Sequence, residues 1–288
     1  MHIAVHRVDA FQLNGRGGNP AGVVLDADGV SDAQMQQVAA KVGAPETAFV
    51  LASHACDFRL RFFTPAAEVG LCGHATVATY ALLHRLGRVR AGAFRQELQA
   101  GELGVAVADD GLVSMEQTLP VFGDTFSPEH VAPVLGCGVE DLLGADWPVQ
   151  VVSTGLPDVL VPVRSPEALA QLKPDFEAMA RFNTRSQTVG FHVFSIDTSR
   201  ARSFARCRNF APRFGIPEEA ATGSASGALA CYLHRYGEAA CTWVFEQGHA
   251  LGRPSQIQAC VDVERGAVSR VTVSGYAGSA VLTHVEVA

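Results

Sequence analysis

Hydrophobic and polar residues alternate in several short stretches of the chain, which is the pattern of a strand with one buried face. The clearest stretches are 58–63, 104–108, 242–246, 269–275 and 280–288. Two other segments, which begin at Gly73 and Gly223, are apolar almost all round. A helix of that kind is buried inside a domain and does not lie on its surface. The pattern therefore predicts an α+β fold in which a curved, mostly antiparallel sheet wraps around a central helix.

Helix-start signals predict two further helices. Ser31 is followed three residues later by Gln34, which is the spacing of a capping box, and this predicts a helix over 31–42. Ser165, followed directly by a proline, is typical of an N-cap before the first helical position. We therefore predict a second helix over 165–181.

The two apolar segments are also copies of each other. Residues 73–87 and 223–237 are equal in length and identical at seven of fifteen positions. Weaker matches lie upstream, between 61–65 and 208–212, and downstream, between 99–104 and 247–252. Chance similarity between two alanine-rich helices is the alternative interpretation. Three matches in the same order indicate an internal duplication.

The duplication predicts two related domains, because two copies are too few for a solenoid. The segment 119–129 is rich in Pro, Gly, Ser, Thr and Asp, as connections between domains often are. We predict a first domain of residues 1–122, completed by a C-terminal strand at 278–288. The second domain is predicted over 123–277.

Charge and hydropathy exclude several classes of partner. The 288 residues include 22 Lys and Arg against 29 Asp and Glu, which gives a net charge of −7, and no basic run occurs. Nucleic acid and anionic membranes are therefore not expected as partners. No apolar stretch reaches the roughly 18 residues that a membrane-spanning helix needs. The first residues alternate like a strand and lack the basic start and apolar run of a signal peptide.

The cysteines favour a reduced, cytoplasmic protein. There are seven, an odd number, and no Cys-x-x-Cys pair occurs. This argues against a disulfide framework and against a structural zinc site, so no metal is predicted. Most of the thiols are expected to be buried and inert. Cys72 is a separate case because it directly precedes the first apolar helix.

Both apolar helices begin at a glycine beside small polar residues, which makes their N-termini candidate anion sites. Free backbone N–H groups and the positive end of the helix dipole favour a carboxylate or phosphate there. If the two domains face each other about a pseudo-twofold axis, one cleft is lined by Gly73, His74, Thr222, Gly223 and Ser224. The simpler alternative is that these are only capped helix ends.

Three polar side chains stand beside predicted strands or helices. Glu46 directly precedes an apolar strand, where it is either an exposed loop residue or a partly buried carboxylate. A buried carboxylate has the raised pKa that suits a general base near pH 7. Asn19 lies in a glycine-rich turn, which is a common place for asparagine. Glu219 precedes the second helix, where a partner for the helix dipole is its simplest role.

Several motifs together resemble the phenazine-biosynthesis PhzF-like isomerase family. They are Gly18-Asn19-Pro20-Ala21, Glu46-Thr47-Ala48-Phe49, Phe63-Thr64-Pro65, Glu68 to Thr76, Ala221-Thr222-Gly223-Ser224-Ala225 and Gly252-Arg253-Pro254-Ser255. They follow that family's order and span nearly the whole chain, so the combination is specific although each motif alone is weak. The resemblance implies a diaminopimelate epimerase-like fold of two pseudo-symmetric domains, a site between them that needs no cofactor, and commonly a homodimer.

The resemblance also implies roles for individual residues. In the family member that makes phenazine precursors, a glutamate takes a proton from a cyclohexadiene carboxylic acid and returns it elsewhere on the ring. The motif of that glutamate falls on Glu46, the histidine of the family's site falls on His74, and its serine falls on Ser224. An aspartate of the family is Glu219 here, whose extra methylene extends its reach by about a bond length. The predicted catalytic residues are thus Glu46, His74 and Glu219.

The predicted substrate-binding residues are Asn19, Cys72, Gly73, Thr222, Gly223 and Ser224. Related racemases use two facing cysteines, one from each domain. The counterpart of Cys72 in the repeat is Thr222, whose hydroxyl is far too weak an acid to exchange roles with a thiolate. A symmetric two-thiol mechanism is therefore not expected, while a one-thiol racemase, epimerase or dehydratase reaction at Cys72 stays open.

The sequence thus predicts a cofactor-independent isomerase that moves a proton on a small, cyclic carboxylic acid by glutamate acid/base catalysis. A cytoplasmic homodimer is expected. The second hypothesis is a non-enzymatic binding protein that keeps the fold.

Overall fold

The computed structural model describes residues 1–99, 101–196, 205–237 and 240–288. The chain divides into two compact units. The first unit is Met1–Glu116 with Ser274–Ala288, and the second is Gln117–Val273. The sequence placed the corresponding boundaries at 122 and 278. Among the described residues, no helix combines the length and apolar character that crossing a bilayer requires.

Both units contain strands and helices. The helices are α1 (Asp32–Lys41), α2 (Gly73–Arg85), α3 (Pro128–Leu135), α4 (Pro166–Gln171), α5 (Phe176–Ser186) and α6 (Gly223–Tyr236). The strands up to the second unit are β1 (His2–Ala10), β2 (Asn19–Val24), β3 (Glu46–Leu51), β4 (Phe58–Phe63), β5 (Glu68–Val69), β6 (Gly92–Leu98), β7 (Gly101–Val107) and β8 (Val113–Gln117). The later strands are β9 (Val121–Phe126), β10 (Val149–Ser153), β11 (Pro157–Pro162), β12 (Gly190–Ile196), β13 (Ala205–Ala211), β14 (Ile216–Glu219), β15 (Thr242–Gln247), β16 (Ser255–Glu264), β17 (Ala267–Gly275) and β18 (Val281–Glu286).

The two units repeat one plan of strand pairing. In the first unit the neighbours run β18-β1-β2-β3-β4-β6-β7-β8, and only β2–β3 and β4–β6 among these described pairs are parallel. In the second unit they run β9-β10-β11-β12-β13-β15-β16, and the described parallel pairs are β11–β12 and β13–β15. The sequence repeat therefore has a structural counterpart, and the predicted α+β fold with mostly antiparallel pairing is confirmed.

A central helix packs against the sheet of each unit, as the apolar pattern predicted. Helix α2 packs against β1, β2, β3 and β7, and α6 packs against β10, β11, β15 and β16. Ten residues of each helix are buried, namely His74 to Leu83 in α2, and Gly223 together with Ala225 to Leu233 in α6. Burial on all sides agrees with the apolar sequence of both helices.

The same ion pair recurs where each unit turns toward its central helix. Nε and Nη2 of Arg61 each donate to Glu68 at 2.7 Å, and the guanidinium lies 5.2 Å from the ring centre of Phe63. Arg208 binds Glu218 in the same fork at 2.9 and 2.8 Å and lies 4.9 Å from the ring of Phe210. The Arg-x-Phe motif that both copies of the sequence repeat share thus forms the same kind of strand end in each unit.

One predicted helix was confirmed and the other was wrong in its extent. The capping box at Ser31 and Gln34 is present at the start of α1. The predicted helix 165–181 is instead two helices, α4 and α5, separated by Leu172–Asp175. Pro174 lacks an N–H and disfavours helical backbone in the residue before it, so one continuous helix cannot form. Asp175 then caps α5 by accepting a hydrogen bond from the Ala178 N–H.

Candidate active site

Glu46 is a buried carboxylate at the start of a strand. It is the first residue of β3, pairs with Ala21 on β2 and is 8% exposed. Alternation along β3 sends Phe49 to the outer core, where it packs with Met35 of α1, and sends Glu46 to the opposite face, toward α2. Of the two interpretations of Glu46 from the sequence, the exposed loop residue is wrong.

Three side chains converge where β3 begins and α2 begins. Nε2 of His74, in the first turn of α2, lies 3.1 Å from Oε2 of Glu46. Cys72 is the N-cap residue of the same helix, with extended backbone, and its Sγ lies 3.5 Å from Nδ1 of His74. All three side chains are buried. The structure therefore brings together three of the predicted site residues, although 26 positions separate Glu46 from Cys72 in the chain.

Charge decides the protonation state of this cluster. Burial lowers the pKa of His74, but the negative charges available at Cys72 and Glu46 outweigh burial and raise that pKa well above 6.5. Burial raises the pKa of the Cys72 thiol, against the opposing effect of His74, so the thiol is neutral at pH 7. The site is thus a buried imidazole of raised pKa that lies between a carboxyl group and a thiol.

Among the described residues, Glu46, Cys72 and His74 also form a group whose potential ligand atoms lie close enough together to hold a metal ion. Their donor atoms lie within 4.8 Å of one another. Carboxylate, imidazole and thiolate together suit zinc, but the thiol has to lose its proton first. The sequence expectation of no metal stays a prediction.

Asn19 lies on the same face of the sheet as Glu46. It opens β2 two residues before Ala21, the pairing partner of Glu46, and it is buried. The turn before it needs glycine, because Gly18 has a φ of +87° and a Cβ there would lie 2.7 Å from the Ala10 carbonyl oxygen. The glycine-rich turn thus places Asn19 at the edge of the Glu46 cluster.

In the second unit, Glu219 and Thr222 form a local pair. Thr222 is the N-cap residue of α6, and its hydroxyl donates to Oε2 of Glu219 at 2.6 Å. Gln247 Nε2 donates to the Glu219 carbonyl oxygen at 2.7 Å and to the Thr222 hydroxyl at 3.1 Å. Gln247 was not among the predicted site residues, although it begins the downstream repeat segment.

Gly223 and Ser224 form the first turn of α6, as predicted. The hydroxyl of Thr154 donates to the Ser224 carbonyl oxygen at 3.0 Å, which ties the loop before β11 to the start of the helix. The predicted cleft that would unite these residues with the Glu46 cluster stays a prediction.

Sequence reasoning missed Asp158. This residue of β11 is 1% exposed and lies opposite Gly190 on the parallel strand β12. The Gly190 N–H donates to its carboxyl group, while Oδ1 has no hydrogen-bond partner among the described residues. Burial raises the pKa of Asp158 to about 7, the charge of Glu219 adds to this, and the Gly190 N–H opposes it. The available signal was an acidic residue at the start of an apolar strand, which is the pattern that made Glu46 a candidate.

Comparison with known proteins gives consistent results. The family model described as "Phenazine biosynthesis-like protein" matches residues 8–283. An uncharacterized isomerase of Escherichia coli, YddE, is 34% identical over 296 residues, which cover 99% of this chain and 98% of that protein. The trans-2,3-dihydro-3-hydroxyanthranilate isomerase of Pseudomonas chlororaphis is 34% identical, with 93% and 94% covered.

Solved structures agree on the fold. A PhzF family protein of Bacillus anthracis superposes with a TM-score of 0.92 at 33% identity, with both chains fully covered. A hydroxyproline epimerase of Agrobacterium vitis, solved with bound trans-4-hydroxy-L-proline, has a TM-score of 0.67 at 13% identity, covering 99% of this chain and 91% of that one. At that identity the epimerase shows a shared fold alone.

The raised pKa of Asp158 predicts how the stability of the folded protein changes with pH. Its pKa is near 3.8 in an unfolded chain and about 7 in the folded protein, so the folded protein binds this proton more tightly. Its contribution to the free energy of unfolding is fully present below pH 4 and is lost as the pH rises toward 7. We expect Asp158→Asn to gain stability relative to the parent protein between pH 4 and pH 8, by at most about 1.4 kcal/mol per pH unit.

Urea denaturation across this pH range measures the effect. Asp124, which is exposed on β9 of the same unit, supplies the control variant Asp124→Asn, for which no such gain is expected. If the free energy of unfolding changes with pH in the same way in the parent protein and in Asp158→Asn, Asp158 does not bind a proton in this pH range.

Proposed function

Because this chain belongs to the phenazine biosynthesis-like protein family, we propose that it is an isomerase that moves a proton within a small, cyclic carboxylic acid. The observation that carries the proposal is the buried pair in which His74 Nε2 lies 3.1 Å from Glu46 Oε2 at the N-terminus of α2. A carboxylate next to an imidazolium is an ionised base with an acid beside it. Relatives named isomerases over almost the full chain support the reaction class.

In the proposed reaction, an oxygen of Glu46 takes a proton from a substrate C–H bond. The electron pair of that bond delocalises into the conjugated system and the substrate carboxylate. Glu46 then returns the proton to a different carbon, and the double bond shifts while the composition of the substrate is unchanged. His74 and the first N–H groups of α2 stabilise the negative charge that develops in between.

This chemistry requires a base, a positive charge and hydrogen-bond donors, all of which side chains and backbone supply. We therefore propose that the reaction proceeds without a cofactor. The predicted substrate-binding roles of Asn19, Gly223 and Ser224, and an acid role for Glu219, form part of the same proposal. The homodimer and the cytoplasmic location stay predictions.

The reaction at Cys72 is the second candidate, and two observations weigh against it. Burial raises the pKa of the Cys72 thiol, which leaves little thiolate at neutral pH. The hydroxyl of its counterpart Thr222 already donates a hydrogen bond to Glu219. A racemase or dehydratase that begins from the Cys72 thiolate is thus disfavoured.

Replacement of Glu46 by Gln tests the proposed base. The amide has nearly the same volume but cannot accept the proton, so we expect solvent deuterium to enter a substrate carbon about 10² to 10⁴ times more slowly. The first acid to assay is trans-2,3-dihydro-3-hydroxyanthranilate, the compound in the name of the Pseudomonas chlororaphis relative. Proton NMR in deuterated water follows the exchange.

Glu286→Gln, on the exposed strand β18 of the same unit, is the matched control and should exchange like the parent protein. Exchange at the parental rate in Glu46→Gln would remove Glu46 from the mechanism. Saturable binding of cyclic acids with no exchange at any carbon in the parent protein would favour the non-enzymatic hypothesis.

Alkylation tests the role of Cys72. The thiol is 7% exposed and largely protonated, so iodoacetamide should modify the exposed Cys241 well before Cys72, as peptide mass spectrometry can measure. We also expect Cys72→Ser to keep deuterium exchange within about tenfold of the parent rate, because the hydroxyl preserves a polar neighbour for His74. Rapid inactivation at Cys72 that substrate prevents would instead support thiol catalysis.

A further inference from the structure

The thiol of Cys72 takes no part in the proposed proton transfer, and yet the structure gives it a defined position. Cys72 is the N-cap residue of α2, a place that Ser, Thr, Asp and Asn usually occupy. Its Sγ lies 3.5 Å from Nδ1 of His74 and 3.9 Å from Nε2 of the same ring. The thiol is therefore held against the imidazole, whose other neighbour is the carboxyl group of Glu46.

The second unit has a different set of side chains at the equivalent helix start. Its N-cap residue is Thr222, whose hydroxyl donates to Oε2 of Glu219 at 2.6 Å, and Ser224 takes the place of the histidine. A neutral hydroxyl is a poor ligand for a transition metal, whereas a thiolate and an imidazole are strong ones. The divergence of the two copies therefore leaves the first unit with a set of metal ligands at its N-cap.

The three donor groups match the chemistry of zinc. Thiolate sulfur, imidazole nitrogen and carboxylate oxygen are its usual protein ligands, and three of them leave the fourth position of a tetrahedron to water. Magnesium and calcium instead take oxygen ligands almost alone. The set of Glu46, Cys72 and His74 therefore favours zinc over both of these ions.

The separations of the ligand atoms are close to those that zinc requires. Bond lengths of about 2.0 to 2.3 Å at tetrahedral angles place two ligand atoms about 3.3 to 3.6 Å apart. Nε2 of His74 lies 3.1 Å from Oε2 of Glu46 and 3.9 Å from Sγ of Cys72, and the ligand atoms of the three residues all lie within 4.8 Å of one another. Rotation about side-chain bonds of Glu46 and Cys72 can supply the remaining adjustment.

The cluster is also accessible to a small ion. Glu46, Cys72 and His74 are 8%, 7% and 4% exposed, so each of them keeps some contact with solvent. A zinc ion needs no wider cavity, because its ligands close directly around it. As the zinc–sulfur bond forms, the thiol proton leaves to solvent, and His74 binds through an unprotonated nitrogen. The divalent charge of the ion then balances the thiolate and the carboxylate.

We propose that Cys72, His74 and Glu46 form a zinc site through which Zn²⁺ reversibly inhibits the enzyme. The ion occupies Oε2 of Glu46 and Nε2 of His74, which are the atoms that the proton transfer uses. Zinc is therefore an inhibitor of this site and not a cofactor. The inhibition rests on the proposed function, whereas the binding of zinc is measured without turnover.

Titration of the metal-free full chain with Co²⁺ and Zn²⁺ tests the site. A bond between Co²⁺ and a thiolate gives a charge-transfer absorption in the near ultraviolet. The parent protein should develop this absorption, and Zn²⁺ but not Mg²⁺ should abolish it by displacing the cobalt. Cys72→Ser, and Cys72→Thr with the residue of the second unit, should lack the absorption. Both variants should bind zinc at least about 100-fold more weakly by calorimetry, because loss of a group behind a ligand already costs about 10- to 100-fold.

The control is Cys241→Ser, which removes an exposed thiol of the second unit and should leave the absorption and the zinc affinity unchanged. Circular dichroism verifies that each variant is folded. The site is wrong if the parent protein shows no thiolate–cobalt absorption, or if both Cys72 variants keep the parental zinc affinity. Loss of the absorption in Cys241→Ser would assign the metal to the exposed thiol and likewise overturn the proposal.

Deuterium exchange tests the inhibition. Stoichiometric zinc should slow exchange by the parent protein at least about 100-fold, and removal of the zinc with EDTA should restore it. Cys72→Ser should keep its own metal-free rate at the same zinc concentration. Zinc that binds at Cys72 but leaves exchange unchanged, or accelerates it, would contradict the inhibition. If the parent protein exchanges no acid at all, the proposed function fails, while the cobalt absorption still decides whether the metal site exists.

Discussion

The buried contact between Glu46 and His74 is the interaction on which the rest of the site depends. A carboxylate at 8% exposure is costly unless a positive charge compensates it, and an imidazolium in the first turn of a helix is opposed by the helix dipole. Each group therefore needs the other. The strand β3 and the helix α2 must both hold their positions for the pair to form, which makes the fold of the first unit a requirement of the chemistry.

Duplication supplied two copies of one framework, and the two copies have diverged in their polar residues. Both keep the arginine–glutamate fork over a phenylalanine and the glycine at the start of the central helix. The first unit places a cysteine and a histidine around its glycine, and the second places Thr222 and Ser224 there. The first is equipped to carry charge and protons, while the second offers mainly neutral hydrogen-bonding groups together with acids.

The sequence was most informative where a local physical rule determines structure. Periodicity and the Ser31 capping box predicted the central helices and α1. An acidic residue beside an apolar strand made Glu46 a candidate, and the family resemblance assigned it the role of the base. Prediction was wrong at 165–181 because a single helix was extended from the Ser165 cap across Pro174. Asp158 was missed because its burial depends on strand pairing with Gly190, a long-range contact that no local pattern contains. The 3.1 Å contact of Glu46 with His74 could not be predicted from the sequence either, because it joins a strand and a helix that are separate in the chain.

The most direct test of the central claim is the protonation state of His74, read from the nitrogen chemical shifts of isotope-labelled histidine. Cys72 and Glu46 together raise the pKa of His74 well above 6.5, against the effect of burial. Both ring nitrogens should therefore carry protons at pH 7.5, and in Glu46→Gln the pKa of His74 should fall, because Cys72 alone then opposes the effect of burial. A neutral His74 at that pH in the parent protein, unchanged by Glu46→Gln, would contradict the ion pair and the mechanism built on it.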